Sequence, residues 1–272
     1  MIKLLVLDLD GTLYNSKAEV DESNRLAILA AEKKNVRVAL ASGRPYYGLN
    51  DTAKLLELDH YNGFIIGNNG QELYDYKTKT LSKGKKIPQK ACHQVFEIAK
   101  QENLETFVHN DNRSMYYSPI EGDKYHPEKK TRGYNEELGY FVEDCDYDKI
   151  GFFIAPQRND ALALGKRMQE AIGDQAQVMV VNAECVELVP TGLDKVNGID
   201  AIVEKYGFSK EEVLVLGDGQ NDLQMAYHYP FVAMANALEE VKKVALRITG
   251  SNDECGVAQE IEKSILIQSE KI

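Results

Sequence analysis

Short apolar runs, each cut off by a polar turn rich in glycine or asparagine, mark the two ends of the chain. Leu4–Leu7 runs into DLDGT, Val36–Leu40 into ASGRP, and Phe64–Ile66 into GNNG. Val213–Leu216 runs into GDGQND, Phe231–Met234 into ANA, and Leu246–Ile248 into TGSND. Short runs with little polar alternation predict strands buried on both faces, as in a parallel sheet. The stretches between them have helical periodicity. DESNRLAILAAEKKN opens on a capping Asp or Ser and carries Leu26, Leu29 and Ala30 at helical spacing. LDKVNGIDAIVEKYG carries Ile199, Ile202 and Val203 and closes on Gly207. This alternation predicts an α/β fold with a doubly wound, mostly parallel, Rossmann-like core sheet. Ligands of such sheets sit beyond the carboxyl ends of the strands, so the polar turns are expected to converge on one pocket.

The pattern changes between about Lys83 and Pro190. PQKACHQVFEIAKQEN predicts a helix, and ETFVHNDNRSMYYS a hairpin turning at Asn110-Asp111-Asn112. IGFFIAP predicts a strand, RNDALALGKRMQEAIGD a helix, and QVMVVNAECVELVP a second hairpin turning near Asn182-Ala183-Glu184. The expected organisation is a core made of residues 1-82 and 191-272, interrupted by an α+β insert, 83-190, with an antiparallel sheet. SKGKK at the entry to the insert is expected to act as a hinge.

The chain has 272 residues, 43% hydrophobic and 28% charged, the composition of a soluble globular protein large enough for two domains. No apolar run reaches the roughly 20 residues of a membrane span. The opening MIKLLVLDLD is too short and too acidic for a signal peptide, so a cytoplasmic protein is expected, with no membrane partner. The formal net charge of −11 argues against a nucleic-acid partner, which needs a basic face to displace counterions. It leaves room for an anionic substrate held by a local cation, a lysine and aimed amides. Cys92, Cys145, Cys185 and Cys255 form no Cys-x-x-Cys pair and read as reduced thiols. The five histidines show no metal-ligand spacing.

The chemistry is concentrated in aspartates. Asp8, Asp10, Asp218 and Asp222 all lie at carboxyl ends of predicted strands. An aspartate that caps a turn explains one of them. Four converging carboxylates repel unless a cation joins them, and Mg²⁺ is the cation that takes carboxylate, water and phosphate oxygens together. The other turns offer phosphate ligands. Ser42 and Gly43 supply a hydroxyl and an unobstructed backbone N–H. Lys195 sits near a helix start, against the dipole, where a phosphate partner would account for it. Asn221 lies among the acidic residues of GDGQND and can donate to a phosphate oxygen.

With these residues in this order, the chain resembles the haloacid dehalogenase-like phosphatases, and among them the Cof-type branch with a type IIB cap. The motifs are DLDGTL at Asp8–Leu13, ASGR at Ala41–Arg44, Lys195 in LDKVNG, and GDGQND at Gly217–Asp222. MANALEEVKKVA and TGSNDECGVAQEI also look like that branch's C-terminal segments, so the resemblance spans essentially the whole chain. Where Cof-type sequences commonly read Asp-Lys-Gly, this chain reads Asp194-Lys195-Val196-Asn197-Gly198.

The resemblance implies a Mg²⁺-dependent phosphatase acting on a small phosphorylated metabolite such as a sugar phosphate. Asp8 is then the nucleophile that forms an aspartyl-phosphate, and Asp10 the acid and base. The metal falls to Asp8, the Asp10 backbone carbonyl and Asp218, with Asp222 either a further ligand or an outer carboxylate. Leu9 and Gly43 amides, Ser42, Lys195 and Asn221 surround the phosphoryl oxygens. Thr12 either orients Asp10 or satisfies the turn backbone. Thr12, Arg44 and Asn69, with His109, Asn110, Asp111 and Arg113 of the insert, are the candidates for substrate contact, and the insert is the cap that sets specificity. Tyr116, Tyr117 and Tyr134 read as packing or surface aromatics. A phosphomutase or phosphotransferase with the same nucleophile, and a binding regulator without turnover, are the competing readings; intact Asp8 and Asp10 argue against the regulator.

Overall fold

The computed structural model describes residues 1–110, 113–118, 135–138, 147–155 and 158–267. The chain divides into two compact units, Met1–Gly84 with Leu193–Ile272, and Lys85–Gly192.

The first unit is built on an eight-stranded sheet. Its strands are β1 (Leu4–Asp8), β2 (Arg37–Ala41), β3 (Phe64–Gly67), β4 (Glu72–Asp75), β5 (Thr80–Lys83), β12 (Val213–Gly217), β13 (Phe231–Ala233) and β14 (Arg247–Ile248). They lie in the order β14-β13-β12-β1-β2-β3-β4-β5. The first six are parallel, and β4 and β5 add an antiparallel edge. Helices α1 (Glu22–Lys33), α2 (Asn50–Leu55), α5 (Lys195–Tyr206), α6 (Leu223–His228), α7 (Glu239–Val244) and α8 (Gly256–Ile261) complete the unit.

Buried residues pack on both faces, as the apolar runs require. Leu5, Leu7, Val38 and Leu40 pack with Ala27, Ile28 and Ala31 of α1 and Val257 and Ile261 of α8. Leu4, Val6, Ala39 and Val215 pack with Ile199 and Ile202 of α5, Met225 of α6 and Val241 of α7. From β1 the chain winds outward through β2 and β3 on one side and through β12, β13 and β14 on the other. The strand order therefore reverses at β1 and β12, the place where such sheets open a crevice.

Three local expectations change. Leu26, placed on the buried face of α1, is 53% exposed, and the packed positions are Ala27, Ile28 and Ala31. Asp21 precedes α1 without a side-chain capping bond; its carboxylate accepts from Asn15 Nδ2 at 3.3 Å instead. Ser82 and Lys83, expected to be part of the hinge SKGKK, belong instead to β5, which pairs Leu73 with Ser82 and Tyr74 with Leu81. Gly207 closes α5 in the left-handed conformation, φ 67°, as expected for a helix C-terminus.

The second unit holds a six-stranded sheet in the order β10-β11-β9-β6-β7-β8. Its elements are α3 (Gln89–Gln101), β6 (Glu105–Asn110), β7 (Arg113–Ser118), β8 (Asn135–Leu138), β9 (Lys149–Phe153), α4 (Ala161–Ile172), β10 (Gln177–Asn182) and β11 (Cys185–Val189). Pairing is antiparallel except between β7 and β8, which run parallel. Ala91, Val95 and Phe96 of α3 and Leu164 and Met168 of α4 pack on Val108, Ile150, Phe152, Val186 and Leu188 of the sheet. Asp111, Tyr134 and Cys145, and the side chains of Arg113 and Tyr117, lie outside the described residues.

Candidate active site

Asp8 is the last residue of β1, and Asp218 directly follows β12, the neighbouring parallel strand. Their backbones are thus brought side by side by the sheet register. Asp222 comes from the short turn after Asp218, and Lys195 opens α5. Carboxylate oxygens of Asp8, Asp218 and Asp222 lie within 4.8 Å of one another. Lys195 Nζ donates to Asp8 Oδ1 at 2.5 Å and to Asp222 Oδ1 at 2.6 Å. The other Asp222 oxygen accepts the backbone N–H groups of Asp218 and Gly219, each at 3.0 Å. Asp222 therefore folds the loop that presents Asp218 and at the same time anchors the lysine.

Lys195 is placed by a capping box. The Asp194 carboxylate accepts from Val196 N–H at 2.8 Å, and Asn197 Oδ1 accepts from Asp194 N–H at 2.7 Å. The sequence departure after Lys195 thus leaves a regular helix start. Lys195 is 1% exposed, so its ammonium is tolerated only because two carboxylates face it. Burial pulls its pKa down, but Asp222 and Asp8 outweigh that and hold it above the ordinary lysine value.

Three carboxylates against one ammonium leave excess negative charge. Burial pushes the Asp8 carboxyl well above its usual value, Asp222 adds to the push, and Lys195 opposes it. Burial likewise raises Asp218 to about 6, with the Thr12 hydroxyl opposing and Asp222 adding. A hard divalent cation with oxygen ligands fits this donor set: the carboxylates converge, they are desolvated, and their mutual repulsion calls for positive charge.

Thr12 is fully buried, and its hydroxyl donates to Asp218 Oδ1 at 2.8 Å. It serves the acidic cluster from inside the loop and makes no described bond to Asp10. Asp10 is instead held by Arg44, whose Nη2 and Nε approach Oδ1 and Oδ2 at 2.6 and 3.2 Å. This is the two-pronged geometry that guanidinium and carboxylate favour. The Asp10 carboxylate is accordingly not a member of the three-carboxylate cluster. Between them, Gly11 adopts φ +88°, and a Cβ there would stand 2.3 Å from Asp218 Oδ2. Only glycine lets the turn pass so close to the acid.

Ser42 is buried just past β2, and its Oγ accepts the Arg44 N–H at 3.1 Å. A Cβ on Gly43 would lie 3.2 Å from Asn69 Oδ1, so the turns after β2 and β3 are in contact. Leu9 is fully buried, and Asn221 is exposed with its side chain folded back toward Gly219. In the second unit, His109 is buried on β6, Asn110 accepts from Lys86 Nζ at 2.9 Å, and Tyr116 is fully buried against Phe153.

Two residues given no individual role by the sequence brace the loop that carries Asp10. Asn236 Nδ2 donates to the Gly11 carbonyl at 2.8 Å, and Asn236 Oδ1 accepts from Asn252 N–H at 2.9 Å. Asn252 Nδ2 in turn donates to the Tyr14 carbonyl at 3.0 Å. Their only sequence signal was their place in polar turns at the ends of β13 and β14.

Fold and site together define a doubly wound α/β enzyme with a lysine-bridged acidic centre at the switch point of its sheet. The chain belongs to the haloacid dehalogenase-like hydrolases, whose family model matches residues 5–261. A Bacillus subtilis (strain 168) relative, 5-amino-6-(5-phospho-D-ribitylamino)uracil phosphatase YcsE, is 28% identical over 97% of this chain and 96% of its own. A solved haloacid dehalogenase-like hydrolase from Bacteroides thetaiotaomicron matches with TM-score 0.86 and 30% identity, over 97% of this chain and 99% of that one. An Arabidopsis thaliana protein, Endoribonuclease YBEY, chloroplastic, is 27% identical over 93% of this chain, which spans only 45% of that protein. Among the described residues, no helix is long and apolar enough to cross a membrane.

Proposed function

We propose that the protein is a Mg²⁺-dependent phosphatase that hydrolyses a small phosphorylated metabolite through an aspartyl-phosphate on Asp8. The observation that carries this reading is the placement of Asp8: buried at the end of β1, bonded to Lys195 at 2.5 Å, and grouped with Asp218 and Asp222. An anionic nucleophile meets an anionic phosphoryl group only where positive charge is concentrated, which here would be Lys195 together with a divalent cation drawn in by the three carboxylates.

In the first step an Asp8 oxygen bonds to phosphorus while the bond from phosphorus to the leaving oxygen breaks. Asp10 gives its proton to that oxygen. In the second step water attacks phosphorus, Asp10 takes the water's proton, and the Asp8–phosphorus bond breaks to release inorganic phosphate. Lys195, Ser42 and the Leu9 and Gly43 amides hold the transferring oxygens, with Asn221 at the open edge. Mg²⁺ held by Asp8, Asp218 and the Asp10 carbonyl would neutralise charge on phosphate and nucleophile. Both Asp222 oxygens already accept protein hydrogen bonds, which suits it to supporting that set from outside. Names of relatives such as YcsE support a phosphorylated sugar-like compound as the substrate class, and the inserted unit is assigned the choice of leaving group.

The test is phosphate release from a panel of phosphorylated metabolites, with and without Mg²⁺, by wild type and Asp8→Asn. Release that needs metal and disappears in the variant supports the reading. Equal release by both proteins removes Asp8 as nucleophile. An isomerised ester in place of free phosphate turns the assignment to a mutase.

A further inference from the structure

Tyr14 follows the turn that carries Asp10, and its backbone is tied to that turn. Its N–H donates to the Leu9 carbonyl at 2.8 Å, and its carbonyl accepts from Asn252 Nδ2 at 3.0 Å. Tyr14 also pairs with Asp10 in an isolated β-bridge. The side chain is 9% exposed and joins the apolar cluster that includes Leu49 and Ala53. Filling that cluster needs the bulk of the ring and not its hydroxyl. A buried hydroxyl costs stability unless it is bonded. Here it bonds to Thr52 Oγ1 on α2, itself 7% exposed.

The Arg44 guanidinium lies over the Tyr14 ring, 5.5 Å from its centroid. Ring and hydroxyl thus both reach the segment that follows β2. The hydroxyl fixes the ring through Thr52, and the ring carries the arginine. That arginine needs a platform. The side chains of Arg44 and Asp10 are 39% and 60% exposed. An ion pair so open to water is weak, and a long side chain loses rotamer freedom in forming it. A guanidinium laid on an aromatic face is already oriented, so it loses less when it forks a carboxylate.

We propose that Tyr14 is a positioning residue for proton transfer: its ring, fixed by Thr52, holds the Arg44 guanidinium where it forks the Asp10 carboxylate. The proposal rests on the phosphatase reading, in which Asp10 is the acid and base. It extends the support of that acid from Arg44 back through Tyr14 and Thr52 to α2.

Tyr14→Leu removes ring and hydroxyl, Tyr14→Phe keeps the ring but frees it from Thr52, and Thr52→Val frees it without touching Tyr14. Each variant is measured by kcat/KM on an alkyl phosphate that the wild type hydrolyses and on p-nitrophenyl phosphate. This constant covers the reaction up to departure of the leaving group, and only the alkyl leaving group needs a proton there. Tyr14→Leu is expected to lower it about tenfold for the alkyl ester and less than about twofold for the aryl ester. Tyr14→Phe and Thr52→Val are expected to lower the alkyl value about two- to threefold. Added to Arg44→Gln, Tyr14→Leu is expected to cost nothing further on the alkyl ester, because residues that act through one another are not additive. Equal falls on both esters would overturn the proposal, and so would a full additional loss in the double variant. If Tyr14→Leu fails to fold, an alkyl-to-aryl ratio unchanged in both Tyr14→Phe and Thr52→Val overturns it. A wild type that hydrolyses neither ester would instead defeat the phosphatase reading itself, which keeps the two failures apart.

Discussion

The Lys195 ammonium lies 2.5 Å from Asp8 Oδ1 at a depth where neither group meets solvent freely. The pair makes opposite demands on the protein. Lys195 offsets part of the cost of burying the Asp8 charge, and Asp8 with Asp222 makes a buried lysine tolerable. Lys195→Met leaves both carboxylates buried without their cation. Folding stability without metal is expected to fall by about 3–5 kcal/mol. Turnover is expected to fall on the order of 10²–10³-fold, the usual effect of removing one charged or hydrogen-bonding group from a transition-state site. Denaturant melts and steady-state phosphate release check both.

Asp218→Asn should move stability and activity in opposite directions. Burial raises the Asp218 carboxyl to about 6, above its unfolded value of roughly 4. The folded state therefore binds the proton more tightly, and the contribution to stability is present below the unfolded value and lost as pH rises through 6. The amide removes that loss. At pH 7.5 without metal, the variant is expected to be more stable by about 1 kcal/mol, after allowing for solvent screening. It is also expected to lose most of the stabilisation that Mg²⁺ gives the wild type, together with activity. Thermal melts across a Mg²⁺ titration read both effects.

Arg44→Gln releases the Asp10 carboxylate from its two-pronged contact. A freed acid is misplaced for part of the time, which matters most when the leaving oxygen needs a proton. The expected fall in kcat is about 10–100-fold for an alkyl phosphate and much smaller for p-nitrophenyl phosphate, whose leaving group departs as an anion. Equal falls for both substrates would show that Arg44 acts elsewhere.

Glu32, on α1 away from the acidic centre, should govern part of the pH dependence of folding. It is 3% exposed, and neither carboxylate oxygen has a described partner. Burial raises its pKa to about 8, and Glu57 adds to the shift. The folded state thus holds a proton that the unfolded state releases near its ordinary value. The stabilisation is full below about 4.5 and is lost as pH rises through about 8. Glu32→Gln keeps the shape and removes the ionisation, so it is expected to gain several kcal/mol, up to about 4, at pH 8.5 relative to wild type. At pH 5 the two should differ little. Urea melts at the two pH values decide.

Local pattern was enough for the six parallel strands of the first unit and for most of the second, but not for the antiparallel pair β4 and β5. Apolar runs such as Leu4–Leu7 and Val213–Leu216 admit few alternatives to buried parallel strands, and the turns after them announce themselves by composition. The edge strand Thr80–Lys83 was harder to read. Its side chains are only partly buried, so no hydrophobic alternation marks it, and its pairing with β4 supplies the evidence. The outward turn of Leu26 was hidden for a related reason: helical spacing shows that α1 has an apolar stripe, while the sheet and α8 select which residues of it are covered.

The sequence by itself determined the fold class, because the period of burial along a chain is a local property, and it determined which turns hold the reactive residue types. It left open the partner of each side chain. Thr12 meets Asp218 across 206 residues, Arg44 meets Asp10 across 34, and Asn236 meets Gly11 across 225. Those meetings depend on the strand order β13-β12-β1-β2, which sets distant turns side by side. Which carboxylate is forked by arginine, which is held by threonine and which is bridged by lysine is decided by distances of a few ångströms between segments far apart in the chain. Only the folded sheet defines those distances.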